Sequence, residues 1–560
     1  MTRSSPVADR SRPWWQAGVL YQVYPRSFQD ADGDGVGDLD GITQRLGYLA
    51  DLGVDAVWIS PFYPSPMADG GYDVADYCDV HPDLGDLAAF DRLVAEAHRL
   101  GLRVVVDWVP NHSSDRHPWF RESWSGRDSP KRAWYVWRDA RPGTGPGTGR
   151  VPEPPNNWRS AFGGPAWTWD ETTEQFYLHS FLPEQPDLNW RNDGLRQAML
   201  DTLRFWLDRG VDGFRVDVAH HIAKDPLFRD NPPEPHPDAG HKPVSDYDRQ
   251  RHVWDRAHSD VHGLFRQFRR VVDAWPDGRE RALFGEIHLG HDLAQWASYF
   301  GNNDELHLPL NFGLLATPWT ADGLRAHVEA VEAALPPGAW PSWVLGSHDE
   351  RRLISRLGPT GARQAAVLLL TLRGTPTLYA GDEIGTPQVE VPDHRIRDPA
   401  GVRTGVPGLG RDGGRTPMAW DTSPNAGFST APEADLWLPL HPTHPAANVA
   451  GQAADPDSLW SLYRRLLALR RATPALHAGA YCSLDVGHPA VFAYERAVGE
   501  SRAVVALNLG DGEAMVGLPG TGWTVAVSTH RGGEGPRPTL TLALGEGVVL
   551  IGAPSVTGAP

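Results

Sequence analysis

Between Ala56 and Tyr379, short apolar runs alternate with amphipathic helical stretches, and this rhythm restricts the fold more than any other feature. Ala56-Val-Trp-Ile59 and Arg103-Val-Val-Val-Asp107 carry almost no polar residue. Such runs suit strands covered on both faces. Ile42, Leu46, Leu49 and Leu52 recur at helical spacing before Gly53. Leu87, Phe90, Leu93, Val94, Ala97 and Leu100 do the same between Asp86 and Gly101. Asp supplies an N-cap and Gly a left-handed stop. Strand, helix, strand, helix with continuous apolar strands predicts a parallel sheet under helices. A first strand is expected within Trp14–Phe28, ended by Pro25. The others are expected at Gly213–Val218, Arg281–Glu286, Glu305–Leu308, Ser342–Leu345 and Pro376–Tyr379. That makes eight, and the fold class is α/β: a (β/α)8 TIM barrel.

Two interruptions break the rhythm. Residues 108–176 are rich in Trp, Pro, Gly and Asn, too long for a structureless loop, and read as a subdomain inserted after strand three. Barrel segments 14–107 and 177–473 flank it, the second with a loop-rich excursion at 382–456. From 474 to 560, short runs such as Ala503–Asn508 and Val548–Ile551 alternate with Gly-rich turns, which predicts a C-terminal antiparallel β-sandwich.

Within this frame Gly210–His221 stands out. Phe214, Val216 and Val218 suit a strand, which puts Arg215 and Asp217 together on its other face. A buried Arg–Asp pair is costly. By itself it reads equally well as a fold-holding ion pair or as part of a reactive site. Other strand ends carry Asp107, Asn111 and His112, then Glu286, then His348 and Asp349. In a barrel of this kind those ends converge on one mouth. Carboxylates around a mouth, with Arg and His between them, suit glycosyl transfer: one attacks the anomeric carbon and a protonated one serves the leaving oxygen.

Composition narrows the partners. The formal net charge is −18 and no long basic run occurs, so nucleic acid and anionic membranes are poor partners. Two cysteines, Cys78 and Cys482, make no disulfide framework, and a cytoplasmic protein is expected. Met1–Pro13 has no apolar core of a signal peptide, and no run is long enough to span a membrane. The 23 tryptophans are expected mostly in the core. Asp30-Ala-Asp-Gly-Asp-Gly-Val-Gly-Asp38 spaces carboxylates like a Ca²⁺ loop, without the closing Glu of an EF-hand. Asp30, Asp32, Asp34, the Val36 carbonyl and Asp38 are the expected ligands of a structural Ca²⁺ or Mg²⁺, since four carboxylates this close repel without a cation. No organic cofactor is expected.

Asp107–His112, Gly213–Asp217, Gly285–His288, His348-Asp349 and Gln185–Asn189, with Tyr24–Phe28, Gly374–Tyr379 and Arg415–Met418, resemble glycoside hydrolase family 13, the α-amylase superfamily. The likeness is greatest to its α-glucosidase and oligo-1,6-glucosidase branch. It implies Asp217 as nucleophile, Glu286 as general acid and base, and Asp349 as a transition-state ligand of the sugar hydroxyls. It implies that Arg215 keeps Asp217 ionised, that His112 and His348 hydrogen-bond in the −1 subsite, and that Asp69 and Tyr72 hold the terminal glucose. Arg415 would pair with Asp69, with Arg411 as second candidate. Val218 leans weakly toward α-1,6 linkages, and the polar Asp230–Tyr247 excursion, expected to border the +1 site, bears on linkage as much. Ser347 stands where many members have Asn, and His288 lies near the +1 side, where it bears on leaving-group choice. A retaining mechanism implies Asp217 and Glu286 carboxyls about 5–5.5 Å apart.

The expected activity is release of α-glucose from the non-reducing end of short α-glucosides, maltose, isomaltose or sucrose among them, through a covalent glucosyl-enzyme. The partner is a small oligosaccharide, and the protein a monomer or small homo-oligomer. Two alternatives remain. One is a transglucosylase or sucrose/trehalose-type isomerase on the same site; the other is a non-catalytic barrel serving a transporter.

Overall fold

The computed structural model describes residues 12–552 apart from 239, 290, 291, 531, 533 and 537–539. Of the polar stretch Met1–Pro13, only Arg12 and Pro13 are therefore described; the absence of a signal peptide was read from residues that lie outside.

The barrel begins with β1 (Leu20–Val23), β2 (Ala56–Ile59) and β3 (Arg103–Trp108). Trp14–Ala17, expected in the first strand, forms a short helix instead, because Pro13 starts a turn that the Trp14 carbonyl closes onto Gly18. After β3 the chain builds a three-stranded antiparallel sheet from β4 (Trp137–Arg138), β5 (Trp167–Asp170) and β6 (Gln175–Leu178), in the order β4-β6-β5. Trp158, Trp167, Phe176 and Leu178 form its own apolar cluster. The barrel resumes with β7 (Gly213–Val216), β8 (Ala282–Ile287), β9 (Leu308–Asn311), β10 (Ser342–Val344) and β11 (Thr375–Tyr379).

These eight strands are parallel, in the order β10-β11-β1-β2-β3-β7-β8-β9. The seam between β9 and β10 is joined by the Ser342 hydroxyl, which donates to the Pro309 carbonyl and accepts from the Asn311 amide. β9 lies three residues later than expected. Glu305 is held by His262 and Arg266, so Glu305–His307 leads into the strand rather than forming it. Pro309 is tolerated because β9 borders the seam.

Successive strand residues divide between two cores. Leu20, Trp58, Val105, Phe284 and Leu308 form one cluster. Tyr21, Val57, Val104, Val106 and Leu283 join a larger one with the surrounding helices. The helix Asp193–Asp208 shows the pattern: Asn192 caps it through Leu195 N–H, and Leu195, Met199, Leu203 and Trp206 are buried. Each such side chain contributes about 1.5–3 kcal/mol on burial. The tryptophans Trp58, Trp108, Trp158, Trp206 and Trp343 are also fully buried.

The chain ends in a sandwich. β12 (Ala480–Leu484), β13 (Val491–Val498), β14 (Ser501–Asn508), β16 (Trp523–Ser528), β17 (Gly535–Pro536) and β19 (Gly547–Gly552) form one antiparallel sheet. β15 (Ala514–Val516) pairs with β18 (Leu540–Leu542). Val491, Val504, Ala514, Leu542 and Val548 pack between the sheets. The other face, with Phe492, Tyr494 and Val505, packs into the main core. Among the described residues no helix is long and apolar enough to cross a membrane.

Candidate active site

The side chains that the sequence placed at strand ends meet at one mouth, around a single guanidinium. Arg215, on β7, is buried and donates Nη1 to Asp107 and to Asp217, each at 2.7 Å. Its Nη2 lies 2.8 Å from Glu286 Oε2. The alternation of β7 thus puts Arg215 and Asp217 on one side, as expected. The strand stops at Val216, however, and Val218 is not in it. Val218 adopts a left-handed φ of 34°, unusual for a β-branched residue. The turn aims the Val218 amide at Glu286 Oε2, 2.8 Å away. A residue read as a strand position is a backbone donor to the carboxylate instead.

Asp107, next to last in β3, also accepts from Trp58 Nε1 and the Tyr72 hydroxyl. Burial, opposed by Arg215, pushes it up to about 6. Burial also pushes Asp217 well above the usual carboxylate range; Arg215 opposes this, and the negative charges of Glu286, Asp107 and Asp349 reinforce it. Burial would raise Glu286 as well, but Arg215 and His288, whose Nε2 lies 2.8 Å from Oε1, over-compensate and hold it low. His348 bonds Gln22 at 2.7 Å and the Tyr72 hydroxyl at 2.6 Å, with its ring stacked on Tyr72. His112 meets Gln185 at 3.0 Å. Burial pushes His112 down to about 4 and His348 down to about 3, so both are neutral donors or acceptors at neutral pH. Ser347, through its hydroxyl, accepts from the Asp349 amide at 3.2 Å.

One pairing corrects the sequence reading. Arg415 does not pair with Asp69; its guanidinium donates to Asp349 at 2.9 Å and to the His348 carbonyl. Arg411 is the partner of Asp69, at 2.6 Å, and it also reaches Asp349 at 3.0 Å and Asp398 at 2.6 Å. Arg411 also lies over the Phe162 ring. Asp69, Tyr72, His112, Asp217, Val218, Glu286, Asp349 and Arg411 line one cavity of ≈ 320 Å³, within the range of small-molecule sites.

Several residues of the site were not named from the sequence. Asp398 is fully buried and anchors Arg411. Phe162 and Phe181 enter from the segment before and after β5 and β6, where no periodicity marks them. Lys242 and Tyr247 come from the polar segment 230–247, and Arg256 follows it. His241 and Lys242 tie this segment to Glu350, at 2.5 and 2.9 Å. The segment was expected beside the +1 site; which of its side chains face the cavity is given by the fold.

Away from the cavity, Asp30, Asp32 and Asp38 bring carboxylate oxygens within 4.8 Å of one another. Asp34 is outside this group; it accepts from the Val36 amide at 2.7 Å. Burial, with Asp32 and Asp30 nearby, raises Asp38. A compact set of hard oxygens fits Ca²⁺ or Mg²⁺.

A profile of the alpha-amylase catalytic domain matches residues 22–479. The chain belongs to the alpha-amylase family. It is a glycoside hydrolase of the family's α-glucosidase branch. It is 42% identical over 525 residues to the "Probable alpha-glucosidase" of Rhizobium meliloti (strain 1021), covering 92% of this chain and 93% of the relative. It is 35% identical over 539 residues to the oligo-1,6-glucosidase of Parageobacillus thermoglucosidasius, covering 91% and 92%. Among solved structures it resembles the alpha-glucosyl transfer enzyme XgtA, with a TM-score of 0.89 and 40% identity over 97% of this chain and 100% of that one. It also resembles the trehalulose synthase MutB of Pseudomonas mesoacidophila MX-45, with a TM-score of 0.84 and 34% identity over 97% and 100%.

Proposed function

We propose that this family member is a retaining, exo-acting α-glucosidase that frees α-glucose from the non-reducing end of short α-glucosides, maltose, isomaltose and sucrose among them. The observation that carries this reading is Arg215 holding the Asp217 and Glu286 carboxylates at once, at 2.7 and 2.8 Å. Two carboxyls on one guanidinium are close enough for one to attack the sugar while the other serves the leaving oxygen.

Asp217 is the nucleophile and Glu286 the acid and base. Positive charge developing at the anomeric carbon favours ionised Asp217 and leaves the proton to Glu286. Asp349, held by Arg411 and Arg415, binds ring hydroxyls, and neutral His112 and His348 bond the same sugar. Asp69 and Tyr72 receive the terminal glucose, and the Arg411 link between Asp69 and Asp349 supports a blind pocket rather than an open groove. Asp30, Asp32 and Asp38 would hold a structural Ca²⁺ or Mg²⁺, screening their mutual repulsion, remote from the reaction. The free thiols of Cys78 and Cys482 suit the cytoplasm.

A panel of maltose, isomaltose, sucrose, trehalose and longer maltodextrins, with the product anomer read by NMR, tests the reading. Release of α-glucose from chain ends is expected; β-glucose or internal cleavage overturns it.

A second reading, glucosyl transfer to a sugar acceptor, draws support from the likeness to XgtA and to the trehalulose synthase. The segment tied to Glu350 walls the side on which an acceptor would bind. Free glucose measured against new disaccharides separates the two.

A further inference from the structure

The acid/base carboxyl has one oxygen whose surroundings the family likeness does not explain. Glu286 Oε2 accepts from the Val218 amide and faces Arg215 Nη2, both at 2.8 Å. Both groups only donate, so a proton on Glu286 belongs on Oε1. Among the described residues, the one hydrogen-bonding group at Oε1 is His288 Nε2, at 2.8 Å. The imidazole stacks on Phe312 with centroids 4.2 Å apart, which fixes its plane. Its side chain is 36% exposed and lines the cavity, so the pair is open to solvent protons.

The other charged and titratable groups around Glu286 come from separate elements and act elsewhere. Asp107 and Asp217 share Arg215 on its other nitrogen. Asp349 contributes field from the loop after β10. His220 faces the Glu286 main-chain carbonyl at 3.3 Å, and its ring lies 6.3 Å from that of His288. Arg256 bears on His220 from beyond the 230–247 segment.

We propose that His288 is the positioning residue for the Glu286 proton: the two side chains share one proton along Nε2···Oε1 and keep it available for glucosyl transfer at higher pH than Glu286 alone. The proposal rests on the acid/base reading of Glu286. A neutral ring accepts from protonated Oε1, and a charged ring donates to ionised Oε1. His288 lowers the hold of Oε1 on its own proton, but the proton that the ring takes up stays in the bridge, so the pair as one unit gives up its last proton at higher pH than a lone carboxyl pulled down by Arg215. In the first half-reaction the shared proton goes to the glycosidic oxygen as its bond to C1 breaks and Asp217 bonds C1. The leaving oxygen keeps the electron pair. In the second, water attacks C1, the bond to Asp217 breaks, and the proton from water returns to the Nε2···Oε1 bridge.

The test compares His288→Phe, which keeps a ring against Phe312, with His288→Gln, which keeps a hydrogen-bonding group that does not titrate. For each, kcat/KM is followed against pH with maltose, whose leaving group needs a proton, and with 4-nitrophenyl α-glucoside, whose leaving group does not. With maltose, both variants are expected to lose the alkaline limb about one pH unit earlier, with a roughly tenfold loss near pH 8. With the nitrophenyl glucoside the loss is expected to stay within about twofold, which also reports that the variants are folded. An unmoved alkaline limb, or equal losses on both substrates, overturns the proposal. If one variant fails to fold, the other decides. Glu286→Gln is the separate control. If it retains maltose turnover, the acid/base reading itself is wrong; if it loses maltose turnover while the His288 variants keep the wild-type limb, only the role of His288 is wrong.

Discussion

Replacing Arg411 by Ala removes the single guanidinium that joins Asp69, Asp349 and Asp398, and the structure sets both the size and the pH dependence of the loss. Asp398 and Asp69 are almost fully buried, with side chains 0% and 5% exposed. Some support survives: the residue 411 amide still donates to Asp398, Gln185 to Asp69 and Arg415 to Asp349. Two buried carboxylates nonetheless lose their cation. Breaking a buried pair from one side costs about 3–5 kcal/mol, because it strands a charge. The sign with pH follows from the shifts. Burial would raise Asp398, but Arg411 and Arg415 hold it below the usual range. Its stabilisation is therefore present above the unfolded carboxyl value and lost as pH falls through the folded one. Asp69 is raised by burial even with Arg411 present, and it rises further without it. The deficit of the variant should therefore be largest near neutral pH and shrink on acidification, as these carboxyls take up protons. Urea unfolding of the wild type and Arg411→Ala at pH 7 and pH 5 measures this. A deficit under ~1 kcal/mol at pH 7, or the same deficit at both pH values, refutes the argument. Arg411→Lys should recover only part of it, since one ammonium does not span three carboxylates.

Asp217→Asn should cut glucose release by about four orders of magnitude or more and leave no glucosyl-enzyme to trap; retained sugar turnover in a maltose assay would remove Asp217 from the chemistry. Glu350→Gln weakens the tie to His241 and Lys242, so KM for disaccharides should rise several-fold while the first step on nitrophenyl glucoside changes little; unchanged KM values would mean that the segment does not shape the +1 side. Asp30→Asn, or a chelator, should lower Tm by several degrees, with Ca²⁺ restoring it only in the wild type. A Tm indifferent to both would speak against a bound cation.

The eight-strand alternation was legible because periodicity is local: a strand or helix face declares itself within a dozen residues. Where the chain departed from that reading, a neighbour or a turn was responsible. Glu305 is captured by His262 and Arg266, so β9 starts late. Asp107, Arg215, Asp217, Glu286 and Asp349 could be picked out because they interrupt or end apolar runs in a fold whose strand ends converge.

What the sequence by itself determined, then, was which chemistry stands at the end of each strand. The tertiary structure alone decided how those groups pair. Asp69 and Arg411 lie 342 residues apart, and nothing local distinguishes Arg411 from Arg415 as its partner. Val218 had the composition of a strand residue, but the close of β7 turned its amide onto Glu286. His288 follows Glu286 by two residues, yet only the fold set its ring against Phe312 and aimed Nε2 at Oε1. The physical reason is common to all three. Apolar burial is read along the chain, whereas hydrogen bonds and ion pairs are directional and belong to atoms that meet only after the chain has closed.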